Sequence, residues 1–509
     1  MKPNLSAKSG LRGVFWNSSG SIVQMVSQFI VIAVLSRLLS PREFGVVGVI
    51  LILFNFSKIF TDLGIASAII QIKHLSLKHI SLGYSYSIIL GTLIGLLFYV
   101  IAPNVASFFN LKEADKAIRF FALFFPIYSF NGVSMAILQR QMKFAVVVKC
   151  SIISYIFGTG LVSITLAYFG YSYWSLIIGQ LSGLLITTII LIINTRPVFS
   201  IKYDKLVTKS LLVFGSGHTL GTVFNYFAEN MDNIITGRML NTVALGNYSK
   251  AFQLFSIPTG FFGGVYDKVF FPLLSKNQEK KDSLRRFYLL STSICFGILL
   301  PISILIFTNA ELIVKFILGE QWVIVPEILR ILIIGMAFRF GTRINKSYLK
   351  SLGLVFKGAY YQLIFAVLML SFCLIGSHYY GLSGVAYGVF IATVINYFQM
   401  TRKVYFILNF SKKDFIKIHS KTYLFNLPFV LFHLILYSQD IRNVWINLSL
   451  TILVYIPIMI FFLFNNNYVI LNPSNLKILN QIFTALPKSF QNNLNKFRIL
   501  QRYFEGNEN

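Results

Sequence analysis

The sequence predicts an all-α polytopic membrane protein, with about 14 transmembrane helices arranged as two pseudo-symmetric six-helix lobes plus two C-terminal helices around a central cavity. Three observations support this fold class. The 509-residue chain is 56% hydrophobic and only 12% charged, whereas soluble proteins carry roughly a quarter charged residues. About fourteen apolar stretches approach the roughly 20 residues that a bilayer-spanning helix requires. A pattern of polar residues also recurs at a fixed offset in the two halves of the chain.

The recurring pattern lies on one predicted helix in each half. In the second half, six polar residues follow one another at steps of three or four, which places them on one helix face: His218, Thr222, Asn225, Glu229, Asp232 and Thr236. A carboxylate near the bilayer centre costs about 2.5 to 3.5 kcal/mol, so this stripe is expected to face protein or a water-filled cavity.

The first half carries a similar helix 201 residues earlier. The positions Asn17, Gly20, Ser21, Gln24, Gln28, Arg37 and Gly45 correspond in order to His218, Gly221, Thr222, Asn225, Glu229, Arg238 and Gly246. Long internal similarity of this kind is typical of a transporter built from two repeated bundles, with the pathway between them.

The repeat and the apolar stretches predict the organisation of the chain. It comprises an N-terminal lobe with spans 1 to 6 (residues 1–195), a cytoplasmic linker (196–209), a C-terminal lobe with spans 7 to 12 (210–410), spans 13 and 14 (411–465) and a basic cytoplasmic tail (466–509). A positively charged segment precedes span 1, and no signal-peptidase site with small residues follows it. Span 1 is therefore expected to be an uncleaved transmembrane helix and not a signal peptide. Ser40, Pro41 and Glu43 predict an N-cap, an N1 proline and a capping box that start span 2.

The net charge of +28 concentrates in loops that alternating spans place on one side of the membrane. This asymmetry follows the positive-inside rule and places both termini in the cytoplasm. The basic loops therefore face anionic lipid heads, and a nucleic-acid partner is not expected. Cys150, Cys295 and Cys373 lie in or beside apolar runs without metal or redox spacing, so they are expected to be inert core thiols.

Four segments carry a family resemblance: LSRLLSPREFGVVG from Leu35, FTDLGIASAIIQ from Phe60, NMDNIITGRMLNTVALGNYSKAFQL from Asn230 and ILGEQWVIVPEILRIL from Ile317. They resemble the Wzx-type, O-antigen and colanic-acid-exporter-like flippases. These belong to the polysaccharide transporter family of the multidrug/oligosaccharidyl-lipid/polysaccharide (MOP) exporter superfamily. The resemblance extends over most of the chain and is not specific to one sugar.

The resemblance implies a flippase of the bacterial cytoplasmic (inner) membrane that works by alternating access. Its cargo would be a polyprenyl diphosphate carrying an oligosaccharide repeat unit for O-antigen, capsule or exopolysaccharide, and its other partners are membrane lipids. A polysaccharide polymerase or chain-length machinery remains an open further partner. No cofactor, metal site or catalytic residue is expected, and coupling to a proton or sodium gradient is left open.

A diphosphate with attached sugars requires cations and polar side chains in a hydrated cavity. The candidate cavity residues are Gln24, Gln28, Arg37, Asn225, Arg238, Lys250, Arg140, Arg339 and Arg343. The candidate ion-coupling carboxylates are Glu229, Asp232 and Asp62. The arginines and the acids also have structural alternatives: helix-end stabilisation or snorkelling for Arg37 and Arg238, positive-inside topology for the three other arginines, and ion pairing for the acids. Lys250 lies deeper in its span, so snorkelling explains its position less well.

Two other functions compete with flipping. A small-molecule or cation antiporter resembling the MATE (multidrug and toxic compound extrusion) transporters would carry a cavity rich in acids and aromatic residues. The first-half stripe is instead uncharged. A membrane polysaccharide polymerase would carry a long outer loop with catalytic residues, and the predicted outer loops are short. The duplication also favours a transporter over such an enzyme.

Overall fold

The computed structural model describes residues 7–62, 64–111, 114–200, 203–276, 278 and 281–410, with the further positions 413, 420, 426–428, 430–432, 449 and 453. Within these residues every regular element is helical. The α-helices are α1 (Ala7–Leu38), α2 (Pro41–Asp62), α3 (Ile65–Gln71), α4 (Leu77–Phe108), α5 (Asp115–Phe121), α6 (Phe124–Arg140), α7 (Phe144–Ile153), α8 (Ser163–Tyr168), α9 (Trp174–Thr195), α10 (Lys205–Ile235), α11 (Thr242–Lys276), α12 (Lys281–Thr308), α13 (Ala310–Ile317), α14 (Val325–Ile334), α15 (Met336–Ser351) and α16 (Val355–Ile407). Two π-helical segments, Ser154–Val162 and Thr236–Leu240, continue α7 and α10.

Seven helical segments in the described part of the chain are long and apolar enough to cross a membrane. They are Pro41–Thr61, Leu77–Phe108, Asp115–Arg140, Phe144–Tyr168, Trp174–Thr195, Lys281–Thr308 and Lys357–Ile407. The chain is thus a multi-pass membrane protein. The predicted spans 7 and 8 form α10 and α11, whereas spans 13 and 14 and the basic tail lie outside the continuously described residues.

The start of α2 confirms one half of the predicted capping box, the hydrogen bond from the Ser40 backbone to the Glu43 side chain. The backbone N–H of Ser40 donates to Oε2 of Glu43 at 2.6 Å, and the Ser40 hydroxyl donates to the same atom at 2.8 Å. At the repeat-related position 201 residues later, Asn241 caps α11 by accepting the Ala244 N–H at 2.8 Å. Side-chain hydrogen bonds therefore support the helix start at equivalent points of the two halves, with Glu43 as the acceptor in the first and Asn241 in the second.

The predicted linker between the repeats is partly helical. The helix α10 already begins at Lys205, and Asp204 is its N-cap. The Asp204 carboxylate accepts the backbone N–H groups of Val207 and Leu206, and the Val207 hydrogen bond is the main cause that lowers the pKa of this carboxyl. A deprotonated cap also interacts favourably with the positive end of the helix.

The long α16 is two helices joined at a break. Gly381 adopts φ 56° and ψ −132°, a conformation outside the helical region that favours glycine. Close to it, a Cβ on Gly376 would overlap the Gly384 carbonyl, and a Cβ on Gly384 would overlap that of Gly376. Glycine at both positions lets the two arms form a tight helical hairpin.

The chain divides into two compact units. The first runs to Ser249 and includes Ile317–Val323, and the second comprises Lys250–Phe316 and the chain from Ile324. In the first unit, Phe54 of α2 packs at the centre of an aromatic group, with ring centroids 4.9 Å from Phe125, 5.5 Å from Phe121 and 6.0 Å from Tyr128. These contacts pack α2 against α5 and α6.

The second unit contains a buried polar link between three helices. The Tyr288 hydroxyl on α12 donates to Oδ1 of Asn345 on α15 at 2.7 Å, and Asn345 Nδ2 donates to the Thr401 hydroxyl on α16 at 2.9 Å. All three side chains are buried, so the link gives these helices a defined register. The three cysteines are buried free thiols, as the sequence predicts.

Candidate functional site

Asp232 on α10 is the most enclosed carboxylate of the predicted stripe, with no exposed surface. Its Oδ2 accepts the Tyr248 hydroxyl of α11 at 2.7 Å, and its Oδ1 accepts Nδ2 of Asn233 at 3.2 Å. A buried carboxylate requires such donors because desolvation disfavours its charge. The predicted stripe therefore includes one anchored acid inside the first unit.

The other members of the stripe have different surroundings. Glu229 is exposed, whereas Thr222 and Asn225 are half-buried and Thr236 is buried. Glu229 and Asp232 are thus not an equivalent pair, because one turn of helix separates an exposed acid from an enclosed one. The side chains of His218 and Asp62 lie outside the described residues, as do those of Asn17 and Ser21.

Gln24 and Gln28 are half-buried on α1, one turn apart. On α10, the Tyr226 hydroxyl donates to the Ile52 carbonyl of α2. The ring centroid of Phe56 lies 5.6 Å from that of Tyr226 and 5.3 Å from that of Phe227. The first unit therefore combines amide side chains with a half-buried aromatic group.

The repeat-related arginines Arg37 and Arg238 are both exposed at helix ends. Arg238 lies in the π-helical segment after α10, where its guanidinium carbon is 4.8 Å from the Phe108 ring centroid. A cation at the end of a helix also stabilises the helix dipole. The geometry is compatible with either predicted role of these two cations.

The repeat-related glycines Gly45 and Gly246 make reciprocal contacts. A Cβ on Gly45 would overlap the carbonyl of Thr242, and a Cβ on Gly246 would overlap the carbonyl of Pro41. Thr242 is itself 201 residues beyond Pro41. The starts of α2 and α11 therefore contact each other through two equivalent pairs of residues. The starts of α2 and α11 can approach this closely only because both positions lack a side chain.

The segment Ile317–Val323 packs on the same end of the first unit. Trp322 is 1% exposed, and its Nε1–H donates to the Ser36 carbonyl at 2.8 Å. Gln321 Nε2 donates to the carbonyls of Ser36 and Leu39, the latter at 3.0 Å. These carbonyls lie at the C-terminal end of α1, where backbone carbonyl groups have no intrahelical hydrogen-bond partner. The segment therefore caps α1 from outside the helix.

Arg140 has a defined structural contact. Its Nη1 donates to the Ile69 and Ile70 carbonyls at 2.7 and 3.1 Å, and its Nη2 donates to the Lys73 carbonyl at 3.3 Å. Arg140 thus satisfies the C-terminal carbonyls of α3. A cargo contact at Arg140 stays a prediction.

We expect the change Arg140→Met to destabilise the protein by about 1.5–3 kcal/mol, because charge-assisted hydrogen bonds to three carbonyls are lost. Arg140→Lys keeps the charge but not the planar fork, so it should recover little of this stability. Thermal unfolding of the purified protein measures both effects. Full stability of Arg140→Lys would contradict a capping role.

In the second unit, the predicted cations lie on α11 and α15. The guanidinium of Arg339 lies 4.9 Å from the Phe252 ring centroid and 5.7 Å from that of Phe255. Nη2 of Arg343 is 2.6 Å from Oδ2 of Asp267, and this ion pair is partly exposed. Lys250 is 4% exposed, with Nζ 3.5 Å from Oε1 of Gln253.

Three residues that contact the site were not identified from the sequence: Tyr248, Asp267 and Trp322. Tyr248 and Asp267 lie in the predicted span 8, where nothing in the local pattern pairs them with a particular acid or arginine. Trp322 is part of a recognised segment, but its partners are backbone carbonyls and carry no sequence signal. Within the described residues, no group of three or more His, Cys, Asp or Glu side chains is placed to hold a metal ion.

The helical arrangement is that of known membrane transporters. A solved structure of the lipid II flippase MurJ in an inward closed conformation matches with a TM-score of 0.72 and 15% identity, covering 88% of this chain and 99% of that one. This similarity establishes the fold.

Sequence comparison then places the chain in a family. Residues 34–326, more than half of the chain, match the family described as "Polysaccharide biosynthesis protein", and the chain belongs to this family. The teichuronic acid biosynthesis protein TuaB of Bacillus subtilis (strain 168) is 25% identical, over 68% of this chain and 72% of that protein. The succinoglycan biosynthesis transport protein ExoT of Rhizobium meliloti (strain 1021) is 24% identical, over 69% and 71%.

Proposed function

We propose that this protein is a flippase that moves polyprenyl-diphosphate-linked oligosaccharide repeat units across the cytoplasmic membrane for the synthesis of a cell-surface polysaccharide. Membership of the polysaccharide biosynthesis family carries this proposal. The names of TuaB and ExoT support it, since the first refers to teichuronic acid biosynthesis and the second to succinoglycan biosynthesis and transport.

The two sequence repeats would form two lobes, residues 1–195 and 210–410, within a bundle of about 14 helices around a central cavity. Positive-inside topology would place both termini in the cytoplasm. The reciprocal contacts of Gly45 and Gly246 would then lie at the outer end of the pathway. In this interpretation the structure is closed at the outer end, and the starts of α2 and α11 separate when cargo leaves.

The cargo would be bound by the polar residues of the cavity. Gln24, Gln28 and Asn225 are half-buried amides that suit sugar hydroxyls. Arg37, Arg238, Arg339 and Arg343 are at least partly exposed cations that suit a diphosphate. Lys250 is buried here, so its proposed contact with cargo requires another conformation of the transport cycle. The lipid tail can remain in the bilayer.

Mass spectrometry of lipid extracts from a deletion strain tests the function. We expect polyprenyl-diphosphate-linked repeat units to accumulate and to disappear when the gene is restored. Arg37→Ala and Lys250→Ala copies should clear them poorly, while Lys143→Ala, which removes an exposed lysine outside the candidate site, should clear them fully. Increased sensitivity to cationic drugs without such lipids would support the antiporter instead.

We also propose that Asp232 couples transport to a cation or proton gradient. It is the buried acid of the stripe and is bound by the neutral donor Tyr248. Buried carboxylates in membrane helices commonly serve such relays. Glu229 is exposed and serves better as a comparison.

We expect Asp232→Asn to lose most transport while remaining folded, because the amide oxygen can still accept the Tyr248 hydroxyl but the titratable charge is gone. The measurement is clearance of lipid-linked oligosaccharide at matched protein level, together with the melting temperature. Glu229→Gln is the matched control and should retain transport. If Asp232→Asn clears the lipid as well as Glu229→Gln does, Asp232 is not the coupling group.

A further inference from the structure

A groove of about 530 Å³ opens on the first unit, away from the residues discussed above. One wall is α4, the other is the junction of α5 and α6, and Trp174 at the start of α9 closes one side. Leu96 and Leu123 on the two walls are 59% and 55% exposed. Both leucines lie on segments long and apolar enough to cross a membrane, where an exposed apolar surface suits contact with lipid chains.

The groove arises from two local features. A Cβ on Gly95 would lie 2.7 Å from the Ala122 carbonyl oxygen, so α4 can touch the α5–α6 junction only because position 95 is glycine. The helix is interrupted immediately afterwards, since α5 ends at Phe121 and α6 begins at Phe124. The exposed Leu123 lies at this junction, beside the groove.

One end of the groove is basic and aromatic. Arg119 and the exposed Lys116 both line it. Arg119 Nε donates to Oδ2 of Asp115 at 3.1 Å, and the guanidinium carbon lies 5.1 Å from the Tyr99 ring centroid. Since Asp115 balances one of the two cations, these three charged groups sum to one positive charge.

We propose that this groove is a binding site for an anionic phospholipid. An acyl chain would lie between Leu96 and Leu123, and the phosphate would contact Lys116 and Arg119. Charge supports this occupant, because one phosphodiester complements one net positive charge. Tyr99 and Trp174 support it too, since aromatic residues of this type sit at the level of lipid headgroups. The predicted topology assigns the site to the outer leaflet.

Selectivity of the groove for an anionic phospholipid must come from contacts with the lipid headgroup. An acyl chain gains little by moving from bilayer hydrocarbon into an apolar groove, because both surroundings are similarly apolar. A basic residue near anionic lipid contributes about fivefold in affinity. Removing Lys116 and Arg119 together should therefore weaken binding about 25-fold. Asp115→Asn should act in the opposite direction, because it releases Arg119 from its competing carboxylate.

Native mass spectrometry of the purified full-length protein tests the site. The probes are dioleoylphosphatidylglycerol, dioleoylphosphatidylcholine and dioleoylglycerol, each added at the same concentration. We expect the phosphatidylglycerol to be retained preferentially by the wild type, less by the K116Q/R119Q variant and more by D115N. Lys143→Gln is the matched control, because it removes one exposed lysine elsewhere in the first unit.

A second variant keeps the charges and fills the groove. Leu123→Trp should weaken retention of the dioleoyl lipid while leaving a short dihexanoyl phosphatidylglycerol unaffected. The proposal is overturned if K116Q/R119Q retains phosphatidylglycerol as the wild type does, or if dioleoylglycerol binds equally well. It is also overturned if a polyprenyl phosphate displaces phosphatidylglycerol at much lower concentration, since the groove would then belong to the transported cargo.

Discussion

Replacing Gly246 with alanine is expected to abolish transport and to destabilise the protein. The added Cβ would overlap the carbonyl of Pro41. A backbone carbonyl cannot rotate away as a flexible side chain can, so α11 or α2 must shift. Overpacking of this kind costs about 1–3 kcal/mol. Gly45→Ala should have the same effect, because its Cβ would overlap the equivalent carbonyl of Thr242.

The same helix provides a matched control. An added Cβ on Gly264 of α11 meets nothing within 4 Å among the described residues, and the same holds for Gly132 of α6. Gly264→Ala and Gly132→Ala should therefore be neutral, or stabilise by up to about 1 kcal/mol through helix propensity. The measurements are the melting temperature in detergent and the clearance of lipid-linked oligosaccharide in the deletion strain.

The comparison separates two explanations. If Gly246→Ala and Gly264→Ala behave alike, close approach of the helix starts is not required for transport. If Gly246→Ala alone fails in both assays, the contact between the helix starts is needed for stability. Retained stability with lost transport would instead indicate that alanine holds the starts of α2 and α11 apart.

Removal of the Trp322 side chain is expected to produce the largest loss of stability, about 3–5 kcal/mol for Trp322→Ala. The indole is 1% exposed, packs with a centroid distance of 5.6 Å against Phe44, and donates to the Ser36 carbonyl. The variant loses this packing and leaves a carbonyl at the end of α1 without its indole donor. Thermal unfolding measures the loss.

A graded series separates packing from hydrogen bonding. Trp322→Phe keeps most of the apolar contact and loses the indole N–H, so it should cost about 1 kcal/mol for the hydrogen bond plus a smaller packing term. The neighbouring residue Val323 is 80% exposed, so Val323→Ala should change stability by less than about 0.5 kcal/mol. Equal losses in Trp322→Ala and Val323→Ala would contradict the observed burial.

Gly319 explains why this segment can reach α1. It has φ +104°, and a Cβ there would lie 3.2 Å from Cγ of Arg37. Both the backbone conformation and the limited space favour glycine. The chain turns at Gly319 and then places Gln321 and Trp322 on the carbonyls of α1. A turn residue and two donors thus cap a helix from a distant part of the sequence.

Several features of the fold were predictable from the sequence because they depend on local chemistry. Apolar runs of sufficient length predict helices in a membrane, since a helix satisfies every backbone polar group within hydrocarbon. The capping box of Ser40 and Glu43 needs only three residues of separation. The offset of 201 residues predicted that Gly45 and Gly246 are equivalent, and the structure shows that they make equivalent contacts.

The contacts between distant helices were decided by the tertiary structure alone. A helical pattern places Glu229 and Asp232 on one face, but only packing enclosed Asp232 beside Tyr248 and left Glu229 exposed. The same applies to Arg140, whose partners are the carbonyls of α3, and to Arg343, whose partner is Asp267. Sequence determined that the apolar runs form helices and that α2 starts after Ser40, because these features depend on neighbouring residues. It did not determine the burial or partner of each charge, because those depend on which helix packs opposite.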